Sequence, residues 1–373
     1  LQGQDKHELG KFRDAECPFP LPEGVVPGEN FKFGYVSVPE RHSLSEGKSI
    51  QLAVAIFPST SENHEPDPLV MNTSGPGKSN MDNFIPQIAG GLGNYILPQR
   101  DIVIIELRGL RYSKPFLALD EVREAKVSIM DQNLSPKQTM AVLKKALLAS
   151  KERFEREGVN LSAYNNVETA ADIALIMEKL GYEKYNMVGS SAGTMVAHHV
   201  IRDYPDRVRC GILDAGLPLD PSIMYNYVPS IVNSLKNYFE ECRNTPDCNE
   251  AFPNLEERFL KLLESLNQDP VMLDLKDPLS GKEFLYALNG YRLAENIFFQ
   301  MFYSTQIPLL INQLVNGDYS TLINQLNYSL VPDYFADGLG LTVFITETGS
   351  YSLSDIEYDP AYKIFNAGVS ISG

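Results

Sequence analysis

The segment from residue 185 to residue 204 constrains the fold more than any other part of the sequence. A short apolar strand pattern runs into a turn of small residues, Gly189-Ser-Ser-Ala-Gly193, and the turn leads into an amphipathic helical pattern. Such a turn needs small residues because its central residue takes a strained backbone and the strand and helix pack closely. The segment therefore predicts a strand, a tight turn and a helix, with Ser191 projecting above the end of the strand.

Patterns on both sides of this unit extend it into a sheet. A helical pattern at 167–180 precedes it and an apolar strand pattern at 208–213 follows it. Further strand patterns lie at 31–38, 50–57, 69–71 and 101–106, and a long helical pattern lies at 135–157. Alternation of short apolar strands with helices predicts parallel βαβ units in a sheet that is covered on both faces. The fold class is therefore α/β.

The pattern changes after Pro218. Most of the following hundred residues favour amphipathic helices, at 222–242, 253–267, 290–303, 305–316 and 319–329, with one hairpin at 271–286. A helical block after a β/α block is typical of a cap over a sheet. We therefore predict a core at 1–216, a mainly helical cap at 217–350 and a return segment towards the core at 351–373.

Length and charge exclude several classes of protein. A chain of 373 residues can bury a hydrophobic core that is stable without disulfides or bound metal ions. Its formal net charge of −16, without a dense basic cluster, makes nucleic acid a poor partner. No window approaches 18 consecutive apolar residues, so no membrane span is expected. The oligomeric state stays open.

The cysteines bear on the compartment. Cys242 and Cys248 flank a short loop that contains a proline, which favours a disulfide over two unpaired thiols, and a zinc site would need ligands that are not nearby. Cys210 lies in an apolar run and is expected in the core. The first residues lack a methionine and an apolar signal core, as in a mature or trimmed N-terminus. Together these features favour a secreted or periplasmic protein, with no metal or cofactor expected.

The residues around the tight turn have the right chemistry for acyl transfer. Ser191 is the candidate nucleophile, and the backbone N–H of Ala192 at the helix N-terminus is a candidate oxyanion donor. The loop 72–77, Asn-Thr-Ser-Gly-Pro-Gly, exposes backbone N–H groups near Gly75 that would be the second donor. The alternatives are a chance match at the turn and a merely tight loop.

Several segments resemble the tripeptidyl/prolyl aminopeptidase branch of the α/β-hydrolases. The matching stretches are 34–39, 74–77, 108–115, 164–172, 180–194, 202–208, 213–218 and 242–253. The resemblance implies an α/β-hydrolase fold and a hydrolase that cleaves short peptides from a free N-terminus. Two positions depart from the family's pattern: Ser74 and Arg111 each stand where a glycine is usual.

The histidines do not complete a catalytic triad. In α/β-hydrolases the chain order is Ser, then Asp or Glu, then His, yet no histidine follows His199. His198 and His199 follow Ser191 by about two helical turns, ~10 Å along the axis, and are expected to pack or face solvent. His42 and His64 are expected in solvated loops, and Asp214 is expected to be structural. By resemblance the acid and base would come from a C-terminal block of the core, whose strands this chain is expected to lack.

Three hypotheses follow. The first is an aminopeptidase-like serine hydrolase acting through Ser191, Gly75 and Ala192, with Glu347 of the cap meeting the substrate amine. The second is a carboxylesterase that uses the same turn at Ser191 and the same oxyanion donors. The third is a non-catalytic remnant or binding protein that keeps the fold without the triad.

Overall fold

The computed structural model describes residues 9–44, 46–72, 75, 77–219, 222–302 and 304–329, with the backbone alone for 222–228 and 329. These residues divide into two compact units. The first contains 9–119 and 152–219, and the second contains 120–151 and 222–329. Each unit has its own apolar core.

A seven-stranded sheet forms the centre of the first unit. Its strands are β1 (Phe12–Asp14), β2 (Lys32–Pro39), β3 (Ser49–Phe57), β4 (Leu69–Asn72), β5 (Ile102–Ile105), β6 (Tyr185–Ser190) and β7 (Val208–Asp214). Their spatial order is β1-β2-β3-β5-β4-β6-β7. The last four strands in that order run parallel to one another, and β1, β2 and β3 are antiparallel to their neighbours. The predicted strands of this sheet are confirmed, and β1 was missed because three residues carry no readable periodicity.

Helices make up most of the rest of the described chain. They are α1 (Asn80–Gln87), α2 (Gly93–Ile96), α3 (Asp120–Ser128), α4 (Pro136–Arg156), α5 (Asn166–Lys179), α6 (Ala192–Asp203), α7 (Ser222–Asn244), α8 (Pro246–Ala251), α9 (Leu255–Gln268), α10 (Gly290–Met301), α11 (Ile307–Val315) and α12 (Ser320–Ser329). A π-helical turn at Ile88–Leu92 joins α1 to α2, and 3₁₀ turns lie at Leu161–Ala163 and Pro205–Arg207. The long predicted helices are confirmed. Sequence periodicity missed α1 and α2, because Pro86 and the 90–91 glycine pair interrupt the pattern.

The sheet is buried on both faces over its central strands. All four residues of β5 are buried, as expected of a strand with neighbours on either side and helices above and below. One face packs Val54, Val103 and Ile105 against the apolar stripe of α5 and α6. The other packs Phe57, Ile102 and Ile104 against α1. The core thus places the carboxyl ends of β4, β5 and β6 together at one edge of the sheet.

Strand β7 departs from this arrangement. Its residues are largely exposed, and Ile212 keeps 53% of its surface accessible. The expectation that Cys210 is a core residue is wrong: its side chain is exposed. An apolar run is buried only where something covers it, and within the described residues β7 pairs with β6 alone and forms the edge of the sheet.

The second unit is mainly helical. Helices α9, α10 and α11 pack around a core that contains Leu235, Phe259, Ile297 and Ile311. The predicted hairpin is present as β8 (Val271–Lys276) and β9 (Glu283–Leu288), which pair antiparallel. Residues 120–151, which contain α3 and most of α4, group with this unit, and they lie within the segment 1–216 that the sequence predicts as the core. The boundaries at 216 and 350 stay predictions.

Two further features concern the whole described chain. The predicted disulfide between Cys242 and Cys248 is present, with their Cα atoms 5.1 Å apart. No helix among the described residues is long and apolar enough to span a bilayer.

Candidate active site

The backbone of Ser191 is the most unusual feature of the carboxyl edge of the sheet. Strand β6 ends at Ser190 and α6 begins at Ala192, so Ser191 alone makes the turn between them. Its φ of 51° and ψ of −119° lie outside the regions that L-residues ordinarily populate. Such a conformation costs on the order of 1–3 kcal/mol and persists only where the surroundings enforce it.

Hydrogen bonds on both sides of Ser191 hold this conformation. Its N–H donates to the carbonyl of Asp214, at the end of β7, over 2.9 Å. Its carbonyl accepts from the N–H of Thr194 at 2.9 Å and from the Thr194 hydroxyl at 2.6 Å. The strained residue is therefore anchored to a neighbouring strand and to the first turn of α6.

Glycine is required at position 189 by close packing. A Cβ atom placed there would lie 2.5 Å from the carbonyl oxygen of Gly193 and 2.8 Å from the nitrogen of Thr194. Both are backbone atoms, which cannot move aside cheaply. The small residues of the turn thus let α6 begin directly against the strand it follows, as the sequence predicted.

Helix α6 directs its N-terminus to the same edge. Its apolar face, with Val196, Ala197 and Val200 buried, packs against the sheet. The first N–H groups of a helix have no partner within the helix and carry a partial positive charge. The Ala192 N–H therefore belongs to a turn that can stabilise a negative charge next to Ser191.

The loop predicted to supply the second donor begins beside this turn. Strand β4 pairs parallel with β6, and its last residue, Asn72, lies opposite Gly189. Gly75 is half-buried with a φ of +81°, and its carbonyl accepts from the N–H of Lys78 at 3.1 Å. Ser74, one of the two departures from the family's pattern, lies outside the described residues. The register thus brings the start of the Gly75 loop and the Ser191 turn to adjacent strand ends.

Buried polar side chains lie at the base of this loop. The Asn80 amide, at the start of α1, donates to the Ile105 carbonyl at 2.7 Å and contacts the Asn72 amide oxygen at 3.4 Å. Glu106, directly after β5, is fully buried and accepts from the N–H of Met81 at 3.2 Å. Burial raises the pKa of Glu106 to about 7, against the hydrogen bonds from Ser79, Met81 and Tyr112 that favour its ionised form. Sequence reasoning assigned these residues no role, because residues so far apart in the chain give no local pattern.

Arg111, the second departure from the family's pattern, is engaged at the same edge. Its guanidinium pairs with Asp82 at 2.9 Å and lies 5.0 Å from the centre of the Tyr112 ring. The Tyr112 hydroxyl donates to the other oxygen of Asp82 at 2.6 Å. Arg111 thus joins the segment after β5 to the first turn of α1.

His42 is not the solvated loop residue that the sequence predicted. Its side chain is 21% exposed, and its Nε2 lies 2.7 Å from the carboxylate of Asp172 on α5. Asp172 also accepts two hydrogen bonds from the fully buried Arg108, each at 2.7 Å. His42 follows β2, which lies four strands from β6 in the order of the sheet.

The other described histidines also have partners or positions of their own. The exposed His64 hydrogen-bonds through Nδ1 to the carbonyl of Ser61. His199 is buried on α6 with Nδ1 2.9 Å from an Arg202 nitrogen, and His198 is half-buried on the same helix. Both follow the expectation for packing residues. His7 lies outside the described residues.

Asp214 and Glu347 are the two carboxylates that the sequence analysis discusses. Asp214 is exposed, and its carboxylate contacts the Ser190 hydroxyl at 3.4 Å while its carbonyl anchors Ser191. Those contacts agree with the structural role expected for it. Glu347 lies outside the described residues.

Comparison with known proteins identifies the family. Residues 67–272, more than half of the chain, match the family described as alpha/beta hydrolase fold. The chain belongs to the α/β-hydrolase family. The match spans the Gly75 loop, the Ser191 turn and the sheet between them, as the resemblance implied.

Two curated relatives are similar to this α/β-hydrolase over about half its length. The tripeptidyl aminopeptidase of Streptomyces lividans is 30% identical over 208 residues, which cover 55% of this chain and 37% of that protein. The serine protease Hip1 of Mycobacterium tuberculosis is 24% identical over 246 residues, which cover 62% of this chain and 45% of that protein. The chain thus spans less than half the length of the curated relatives it matches.

Solved structures are more distant from this α/β-hydrolase. An epoxide hydrolase from an endophytic Streptomyces is 16% identical, with a TM-score of 0.28, and the alignment covers 50% of this chain and 37% of that one. Membership of the family rests on the sequence match.

Proposed function

We propose that this α/β-hydrolase is a serine hydrolase of the aminopeptidase type, which cleaves short peptides from a free N-terminus at Ser191. The backbone of Ser191 is the observation that carries the proposal. A non-glycine residue is held at a positive φ by hydrogen bonds from two elements. Strain of this kind is found at catalytic centres, where it presents a side chain for reaction.

The chemistry is acyl transfer. The Ser191 Oγ attacks the scissile carbonyl, its proton passes to a base, and the carbonyl oxygen becomes an oxyanion. The N–H groups of Ala192 and Gly75 would stabilise that oxyanion, one from the N-terminus of α6 and one from the loop after β4. Collapse of the intermediate expels the amine, which takes up the proton from that base, and leaves an acyl-enzyme that water hydrolyses. His42 and His64 hydrogen-bond to Asp172 and Ser61, and His198 and His199 follow Ser191 by about two turns of α6. Proton transfer is therefore assigned to none of these four histidines.

The substrate class is proposed from the relatives. The names of the two curated relatives describe a tripeptidyl aminopeptidase and a serine protease. The segment 217–350 would act as a cap that admits short substrates, and Glu347 within it would pair with the substrate's free amine. The disulfide between Cys242 and Cys248 supports a secreted or periplasmic location, where disulfides persist.

A fluorophosphonate probe tests the nucleophile. The natural protein, expressed at its full length, is expected to be labelled at Ser191 and Ser191→Ala is expected to stay unlabelled. Ser190→Ala is the matched control, because it removes the neighbouring hydroxyl of the same turn. Label retained by Ser191→Ala, or no label on the wild type, refutes the proposal.

A second measurement tests the substrate class. Hydrolysis of tripeptidyl p-nitroanilides with a free amine is compared with that of their N-acetylated forms and of p-nitrophenyl esters. An aminopeptidase loses activity on acetylation. Turnover of esters alone would identify a carboxylesterase instead.

A further inference from the structure

A cluster of buried polar side chains lies at the base of the loop that carries Gly75. Its members come from three elements: Asn72 ends β4, Glu106 follows β5, and Ser79 and Asn80 begin α1. All four are at most 6% exposed. Burying polar groups is costly unless their hydrogen bonds are made, so a cluster of this kind holds a specific geometry.

The cluster joins the residue before the Gly75 loop to the residues after it. The amide contact between Asn80 and Asn72 joins the residues that enter and leave the loop, and Asn80 is tied to β5 by its 2.7 Å bond to Ile105. Glu106 accepts from the N–H of Met81 and from the Ser79 hydroxyl. Both ends of the loop are thus bound to the same strand end.

One donor of the cluster has no partner among the described residues. The Nδ2 of Asn72 is buried, and the structure shows no acceptor for it there. Asn72 lies opposite Gly189 in the strand pairing and immediately before the loop. Its amide oxygen contacts Asn80, so its Nδ2 is a buried donor at the end of the strand next to the one that leads to Ser191.

We propose that Asn72 and Glu106 are positioning residues, which hold Gly75 so that its N–H meets the oxyanion. This inference rests on the proposed function. Neither residue is required to touch the substrate. Gly75 and Gly77 both have a positive φ, at +81° and +107°. Glycine adopts this conformation without steric cost, so the direction of the Gly75 N–H depends on how the neighbouring residues are held.

Displacing the Gly75 N–H should affect the transition state more than the bound substrate. A loosened loop weakens the interaction with the oxyanion, which exists only in the transition state, and leaves ground-state binding of the substrate largely unchanged. Asn72→Ala and Glu106→Gln should therefore lower kcat by about 10- to 100-fold, since displacing an oxyanion donor has effects of this size. KM should stay within about twofold of the wild type.

The experiment compares four variants of the full-length natural protein. Asn72→Ala and Glu106→Gln change the cluster. Asn186→Ala and Glu40→Gln are the matched controls, because both residues are buried and hydrogen-bonded but lie away from the loop. Hydrogen–deuterium exchange of peptides covering residues 73–82 reports the loop, and fluorophosphonate labelling rates with kcat and KM report the chemistry.

The expected result is faster exchange over 73–82 and slower labelling in the two cluster variants only. Unchanged exchange in both, or a kcat loss that the controls share, overturns the inference. Glu106→Gln is nearly isosteric and provides a folded test if Asn72→Ala does not fold. A wild type that neither reacts with the probe nor turns over substrate refutes the proposed function, and exchange alone then decides whether the cluster holds the loop.

Discussion

At the scale of single residues, Glu106 shows how burial raises the pKa of a carboxyl group towards neutral pH. No part of its side chain reaches solvent, and burial raises its pKa from 4.5 to about 7. The folded protein therefore keeps a proton on Glu106 over a pH range in which the unfolded chain has released it. The resulting stabilisation is complete below pH 4.5 and is lost as the pH rises through about 7.

Glu106→Gln should remove this dependence. Glutamine cannot ionise. As the pH rises from 4.5 to 8, the wild type should lose a free energy of unfolding on the order of 3 kcal/mol that the variant keeps. Urea unfolding of both proteins at several pH values measures the difference. A difference that stays constant with pH would contradict the ionisation argued for Glu106.

Some of these residues could be identified from the sequence and others could not, depending on whether their partners are near in the chain. Ser191 was found because its turn imposes small residues on its immediate neighbours in the chain. Glu106 and Asn72 carry no such local signature, since their partners lie on other elements. His42 was misjudged on the same ground, because Asp172, its partner, lies 130 positions along the chain.

At the scale of elements, Arg108 joins three segments at the carboxyl edge of the sheet. Its guanidinium donates to both oxygens of Asp172 on α5, and to the carbonyls of Glu40 after β2 and Ala163 before α5. The carbonyl bonds measure 2.7 and 2.6 Å. A planar guanidinium suits this set of acceptors, whereas an ammonium group cannot reach them all.

Arg108→Lys should therefore be costly although it keeps the charge. We expect a loss of at least about 3 kcal/mol, because buried acceptors and the Asp172 carboxylate would lose partners. Arg123→Lys is the matched control, since its pair with Asp120 is exposed and should contribute less than about 1 kcal/mol. Chemical denaturation of the two variants measures the two losses in the free energy of unfolding. Equal losses would show that the Arg108 contacts stabilise the protein no more than an exposed ion pair does.

The elements themselves were largely predictable, and their partners were not. Strands β5 and β6 and helices α5 and α6 follow from local periodicity, which reports burial directly. The grouping of α3 with the second unit depends on contacts such as those of Arg292, which donates to the carbonyls of Ile129 and Met130. Periodicity says which face of an element is buried, but not against what.

At the scale of the whole molecule, the two units have separate cores. The buried cluster of the second unit contains residues between Ile231 and Leu326, and both clusters of the first unit lie within residues 25–200. Units that share no core can lose their structure independently. We therefore expect two unfolding transitions in calorimetry of this chain.

Two variants should assign those transitions. Replacing Cys242 and Cys248 together by alanine removes a cross-link that closes a short loop in the second unit. Chain entropy then predicts a loss of about 2 kcal/mol from the transition of that unit alone. Arg108→Lys should lower only the other transition, because Arg108 and its partners all lie in the first unit. A single transition that both changes shift equally would show that the units unfold as one cooperative body.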